Sequence, residues 1–103
     1  MIRFRRGRFG DLVSRQLDLF AAAEAGLFDE ARRAEDAYNG AAREDSEELF
    51  GDWQQIVDAI GDGLLDLRET YAATLDENAG AEYRRAFSRA AASRFPGCTE
   101  LLK

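Results

Sequence analysis

Apolar residues between Leu49 and Leu75 recur at steps of three and four along the chain. At about 100° per residue they cluster on one side of a helix, and acidic residues lie on the opposite side. The apolar stripe consists of Leu49, Phe50, Trp53, Ile56, Val57, Ile60, Leu64, Leu67, Tyr71 and Leu75. The pattern predicts a long amphipathic helix at the centre of an all-α fold.

Shorter apolar patterns predict further helices on both sides of this segment. The first ends at Gly26 in a left-handed cap, and the second begins near Asp29. A final helix follows a capping segment at 76–78, runs over about 79–95 and stops at Pro96-Gly97. Together these elements predict an antiparallel helical bundle, coiled-coil-like, with three to four helices and a long central helix.

The segment between residues 39 and 46 carries two conflicting signals. Asn39-Gly40 is typical of a break, and Asp45-Ser46 with Glu48 is typical of a new N-cap and capping box. The apolar period nevertheless continues through positions 28, 31, 38, 42, 49 and 53. We favour the period, which predicts one continuous or kinked helix, and keep the break as the alternative.

A continuous central helix would be too long for the two shorter helices to cover. Its exposed apolar seam would then need a second copy of the chain, so we predict a homodimer. The predicted interface consists of Trp53, Ile60, Leu64, Leu67 and Tyr71. On this hypothesis Leu64→Asp dissolves the assembly.

Charge divides the chain into three parts. Residues 1–9 hold Arg3, Arg5, Arg6 and Arg8 and no acid, residues 10–83 hold 19 acids against five arginines, and residues 84–95 hold four arginines and no acid. We predict a basic flexible arm at 1–9, a single helical domain at 10–96 and a loose C-terminal tail at 97–103. The arm suggests an alternative function, a nucleic-acid-associated regulator, but the acidic body would repel a polyanion.

The chain lacks the residue types that most catalytic sites require. The chain has no histidine, one cysteine (Cys98) and one lysine at its C-terminus, so triads, thiolate metal sites and a tuned lysine are not expected. We predict no enzyme activity, no cofactor and no metal. The acids Asp58, Asp62, Asp66 and Glu69 share a helical face, which we interpret as a solvent face; contact with arginines of another copy or a bound cation are alternatives.

Other features of the composition indicate the source organism, the cell compartment and the class of function. Arginine replaces lysine almost throughout and alanine is abundant, which suggests a high-GC bacterium, with a salt-adapted archaeon as the alternative. A single cysteine and the lack of a long apolar run predict a cytoplasmic protein without a membrane span. The leading interpretation is a non-enzymatic protein-interaction or assembly module.

Overall fold

The computed structural model describes residues 7–103, which form four α-helices and two short 3₁₀ turns. The helices are α1 (Gly10–Ala23), α2 (Ala25–Asn39), α3 (Ser46–Ala72) and α4 (Glu77–Arg94), and the 3₁₀ turns are Arg43–Asp45 and Glu100–Leu102. Within the described residues there is no strand, and the 27-residue α3 is the long central helix. The predicted all-α bundle is confirmed.

The long α3 is covered by different helices along its length. Its first half packs against α2, as the contact between the Tyr38 and Phe50 rings shows, and its second half packs against α4, where Glu69 meets Arg84. The α1 helix packs against α4. Residues 7–103 extend over 53 × 35 × 22 Å, so the molecule is elongated.

The core lies where α1, the second half of α3 and α4 meet. Its largest fully buried side chains are Tyr83, Phe87, Leu17, Ile60, Leu64 and Val13. Tyr83 contacts the rings of Phe9, Tyr71 and Phe87 and so connects the three helices. Each helix contributes an apolar face and leaves its charged face to solvent, as amphipathic periodicity requires.

The continuous helix predicted across residues 39–46 is wrong. Helix α2 ends at Asn39, and α3 starts at Ser46 after a 3₁₀ turn. The apolar stripes of both helices then face each other in a hairpin, whereas a single helix would have left them uncovered in one chain. The predicted capping box also does not form, because the Ser46 hydroxyl donates to the carbonyl of Arg43 instead.

The boundary between the first two helices is also displaced from its predicted position. The break lies at Glu24, and Gly26 belongs to the first turn of α2 without a positive φ. A left-handed cap is therefore absent at Gly26. The start of the last helix is predicted better: Asp76 is its N-cap and accepts a hydrogen bond from the Ala79 amide at 2.8 Å.

The C-terminal segment is packed, so the predicted loose tail is wrong. Gly97, with φ of 86°, turns the chain back toward α3, and Leu102 is buried. A Cβ on Gly61 would lie 3.2 Å from the Cys98 carbonyl oxygen, so a glycine at that position lets the segment approach closely. The Cys98 thiol is half-buried there, and this burial, followed by the charge of Glu35, raises its pKa.

Two glycines of α3 should respond oppositely to alanine. Gly51 has open space around it, so Gly51→Ala should stabilise the fold by about 0.5–1 kcal/mol through helix propensity alone. Gly61→Ala gains the same propensity but pushes the Cys98 carbonyl away, so we expect no gain or a net loss. Urea unfolding of both variants measures the difference; equal stabilisation would contradict a close approach at Gly61.

Candidate interaction surfaces

The predicted interface residues divide into two groups. Ile60 and Leu64 are 0% exposed within one chain, and Leu67 and Tyr71 are half-buried against the same core. They pack in the region shared with α1 and α4, so an interface through them would require the chain to open. The exposed seam that motivated the prediction is therefore absent at these four positions, because the core formed with α1 and α4 covers them.

Trp53, the fifth predicted interface residue, lies elsewhere. Its ring centroid is 5.6 Å from that of Phe50, which in turn lies 5.5 Å from Tyr38 of α2. Although they contact each other, Phe50 is 44% exposed and Tyr38 is 37% exposed. Neighbouring aromatic side chains open to solvent are typical of binding hot spots, where they supply large contact areas.

These rings border a groove between α2 and α3, which we call the aromatic groove. It is lined by Glu35, Tyr38, Asn39, Phe50 and Trp53 and has a volume of about 220 Å³. Pockets for drug-sized ligands are larger, about 300–1,000 Å³. The size of the groove therefore suits one or two side chains of a protein segment.

The surroundings of the aromatic groove are strongly acidic. Residues 24–62, which include both of its walls, hold twelve acids and three arginines. Of these arginines, Arg32 is paired with Asp29. Glu35 contributes a carboxylate directly to the groove lining. An apolar groove within a negative field favours an occupant that combines apolar side chains with cations.

A second groove, between α1 and α4, has the opposite electrostatic character. It has a volume of about 510 Å³ and is lined by Gly7, Gly10, Ser14, Leu17, Ala86, Arg89, Ala90, Ser93 and Arg94. Arg94 forms an ion pair with Asp18 across it. Arg8, two residues before α1, lies 3.9 Å from Glu82 of α4, and its guanidinium is 5.2 Å from the Phe9 ring centroid. Arg3, Arg5 and Arg6 lie outside the described residues.

The acidic stripe of α3 is a solvent face at three of its four positions. Asp58, Asp62 and Asp66 are exposed, and Asp58 accepts a hydrogen bond from Gln54 at 2.9 Å. Glu69 differs, because it accepts hydrogen bonds from Arg84 and Arg68 of its own chain, and these lower its pKa. Residues 7–103 contain no group of three or more side chains placed to hold a metal ion.

Arg68 organises a polar cluster that sequence reasoning missed. Its side chain is 13% exposed, and it donates to the Ser88 hydroxyl at 2.8 Å and to the Leu102 carbonyl at 3.0 Å. It also donates to Glu69 at 2.9 Å. The guanidinium thus connects α3, α4 and the C-terminal segment, which is a structural rather than a chemical role. In the sequence, the role of Arg68 is indicated only by the position of an arginine beside an apolar stripe.

Ionisation of Tyr83 should cause a measurable loss of stability at alkaline pH. Its hydroxyl donates to the Gln16 side chain at 2.8 Å, and burial raises its pKa from 10.0 to about 12. The folded state therefore disfavours the phenolate, so stability is complete below pH 10 and falls as the pH rises toward 12. We expect Tyr83→Phe to remove about 2 kcal/mol of this loss. Urea unfolding of the parent and of Tyr83→Phe at pH 10 and at pH 12 measures the difference. Equal losses of stability in the two proteins would contradict the assignment of this loss to Tyr83.

Comparison with known proteins gives no family: no family model, curated protein or solved structure matches the chain. Within residues 7–103, none of the helices has the length and apolar character needed to cross a membrane. The case for a function therefore rests on the chemistry of the two grooves.

Proposed function

We propose that the chain is a non-enzymatic protein-interaction module whose docking surface is the aromatic groove. The observation that carries this proposal is the exposure of Tyr38 and Phe50, two aromatic side chains that contact each other and border a groove of side-chain size. Exposure of apolar groups to water costs free energy, and binding of a partner that covers them recovers this free energy. Because Tyr38, Asn39 and Phe50 of its lining are exposed, the groove is accessible to another chain.

The titratable groups add no support for catalysis. The chain has no histidine. The raised pKa of Tyr83 belongs to a buried core residue bonded to Gln16, and the lowered pKa of Glu69 belongs to an ion pair with arginines. These groups are engaged in holding helices together. We therefore propose a binding role. From the composition alone we also propose a bacterial cytoplasmic setting and no cofactor.

Affinity capture with matched variants tests the binding role. The bait is the full chain, compared with Phe50→Ser in the groove and with Leu19→Ser on α1, which removes an apolar side chain that is 64% exposed outside the groove. Partners, further copies of the chain included, should be retained by the parent and by Leu19→Ser. Because a hot-spot residue contributes about 2 kcal/mol or more, recovery with Phe50→Ser should fall at least about tenfold.

The result that overturns the proposal is equal recovery with the parent and with Phe50→Ser, or no specific recovery with any bait. Circular dichroism of each bait confirms that the helices are intact. A protein captured in this way is then titrated directly against the parent while the fluorescence of Trp53, the only tryptophan, is followed. Trp53 lines the groove, so its emission should change on binding.

The arm provides a second candidate function, a nucleic-acid-associated regulator. The observation in its favour is that Gly7, where the arm meets the described chain, borders the groove that holds Arg89 and Arg94. Removal of residues 1–6, which keeps the core residue Phe9, should then abolish nucleic-acid binding, and the affinity of the parent should fall steeply with salt. Binding that ignores salt, or no binding, would reject this function.

A further inference from the structure

The N-terminal arm has the chemistry that the aromatic groove favours. Residues 1–6 read Met-Ile-Arg-Phe-Arg-Arg, in which apolar side chains stand beside cations. The groove offers aromatic walls from Tyr38, Phe50 and Trp53 and a carboxylate from Glu35. An apolar side chain between the rings with an arginine near Glu35 would satisfy both, and an arginine can also stack on an aromatic face.

The arm of the same chain is too short to reach this groove. It joins the described chain at Gly7, close to Phe9, whose ring packs on Tyr83 and through it on Tyr71 near the end of α3. Phe50 and Tyr71 are 21 positions apart on α3, about 31 Å along the helix axis. Residues 1–6, the part of the arm that precedes Gly7, span at most about 21 Å when fully extended.

We infer that the aromatic groove is occupied by residues 1–6 of the N-terminal arm of a second copy of the chain. The inference rests on the proposed function, because it names the partner of the same groove. The groove and Gly7, from which residues 1–6 extend, lie toward opposite ends of the molecule, because Phe9 packs by way of Tyr83 near Tyr71 whereas the groove is lined by Phe50 and Trp53. Two copies side by side with antiparallel long axes therefore place each arm at the groove of the other, which closes a twofold dimer.

Direct pairing of two aromatic grooves is disfavoured by charge. It would bring together two hairpins that each hold twelve acids and three arginines in residues 24–62. Like charges opposed across an interface are costly, whereas each arm brings Arg3, Arg5 and Arg6 to an acidic surface. The exchange of arms pairs unlike charges in both halves of the dimer, and the resulting dimer should weaken as salt rises.

Sedimentation equilibrium of full-length variants tests the arm exchange. One variant reverses the arm (Arg3→Glu, Arg5→Glu, Arg6→Glu), and a second reverses the groove (Glu35→Arg). Asp66→Arg is the matched control, because it makes the same charge change at an exposed position of α3 outside the groove. We expect the parent and the control to dimerise, and the dissociation constant of each of the other two variants to rise at least about tenfold.

A mixture of the two reversed variants gives the sharpest result. The acidic arm of one then meets a groove lining in which Glu35→Arg has replaced the carboxylate by a cation, and the unaltered arm meets the unaltered groove. Because one of the two arm–groove contacts is the unaltered pair, we expect stronger association in the mixture than in either variant alone. Because Glu35 is exposed, its substitution leaves the core unchanged, and circular dichroism of each variant confirms this.

Several outcomes would overturn the arm exchange. These are a monomeric parent at every concentration, reversed variants that dimerise like the parent, or no association in the mixture. Dimers that disappear on nuclease treatment would assign the arm to nucleic acid instead. If the arm exchange fails while Phe50→Ser still abolishes capture of another protein, the proposed function stands with a different partner; if both experiments fail, both proposals are rejected.

Discussion

Leu64→Asp is expected to unfold the chain rather than separate a folded dimer. Leu64 is 0% exposed and packs in the core shared by α1, α3 and α4. An aspartate there either buries an unpaired charge or draws water into the core, and both mechanisms belong to the most destabilising class of substitution, about 4 kcal/mol or more. Circular dichroism with urea unfolding measures the loss.

The control for this variant is Leu19→Asp, on a side chain that is 64% exposed. We expect it to change the free energy of unfolding by less than about 0.5–1 kcal/mol, because little apolar surface is lost. A Leu64→Asp variant that keeps its helices and its unfolding midpoint but halves its solution mass would contradict this account. That result would instead support the dimer seam predicted from periodicity.

Phe87→Ala is expected to destabilise the fold by about 3–5 kcal/mol. Phe87 is 0% exposed, and its ring contacts Tyr83, the residue that joins α4 to α1 and α3. Removing the ring leaves a cavity that three helices can close only partly. Because a small domain has about 5–15 kcal/mol of total stability, a large part of it would be lost.

Phe87→Leu separates the cavity from the loss of apolar character. Leucine keeps most of the volume, so the loss should be about 1.5 kcal/mol or less. Thermal and urea unfolding of the two variants against the parent give the comparison. Equal losses for leucine and alanine would contradict a cavity as the cause of the destabilisation.

The helical class was predictable because the periodicity of α3 is strong over many turns. Its break from α2 was not, since local propensity at Asn39-Gly40 and the long-range period pointed in opposite directions. Propensity prevailed because a hairpin buries both apolar stripes within one chain. That choice also moved Ile60 and Leu64 from a predicted interface into the core.

The aromatic groove was only partly predictable. Trp53 was selected as an interface residue, but Tyr38 and Phe50 were assigned to the apolar stripes of two helices without regard to their contact. Their proximity follows only once the hairpin is formed. The role of Arg68 was hidden for a similar reason, since its acceptors Ser88 and Leu102 are distant in sequence and come together through the packing of the C-terminal segment.

Acrylamide quenching of Trp53 in the full chain tests the central claim most directly, namely that the aromatic groove is the docking surface. Trp53 is the only tryptophan and lines the groove. We expect quenching to weaken as protein concentration rises and the chain associates. Glu35→Arg should abolish this change, whereas Asp66→Arg should not. Association that leaves the quenching of Trp53 constant would place the interface elsewhere and contradict the account.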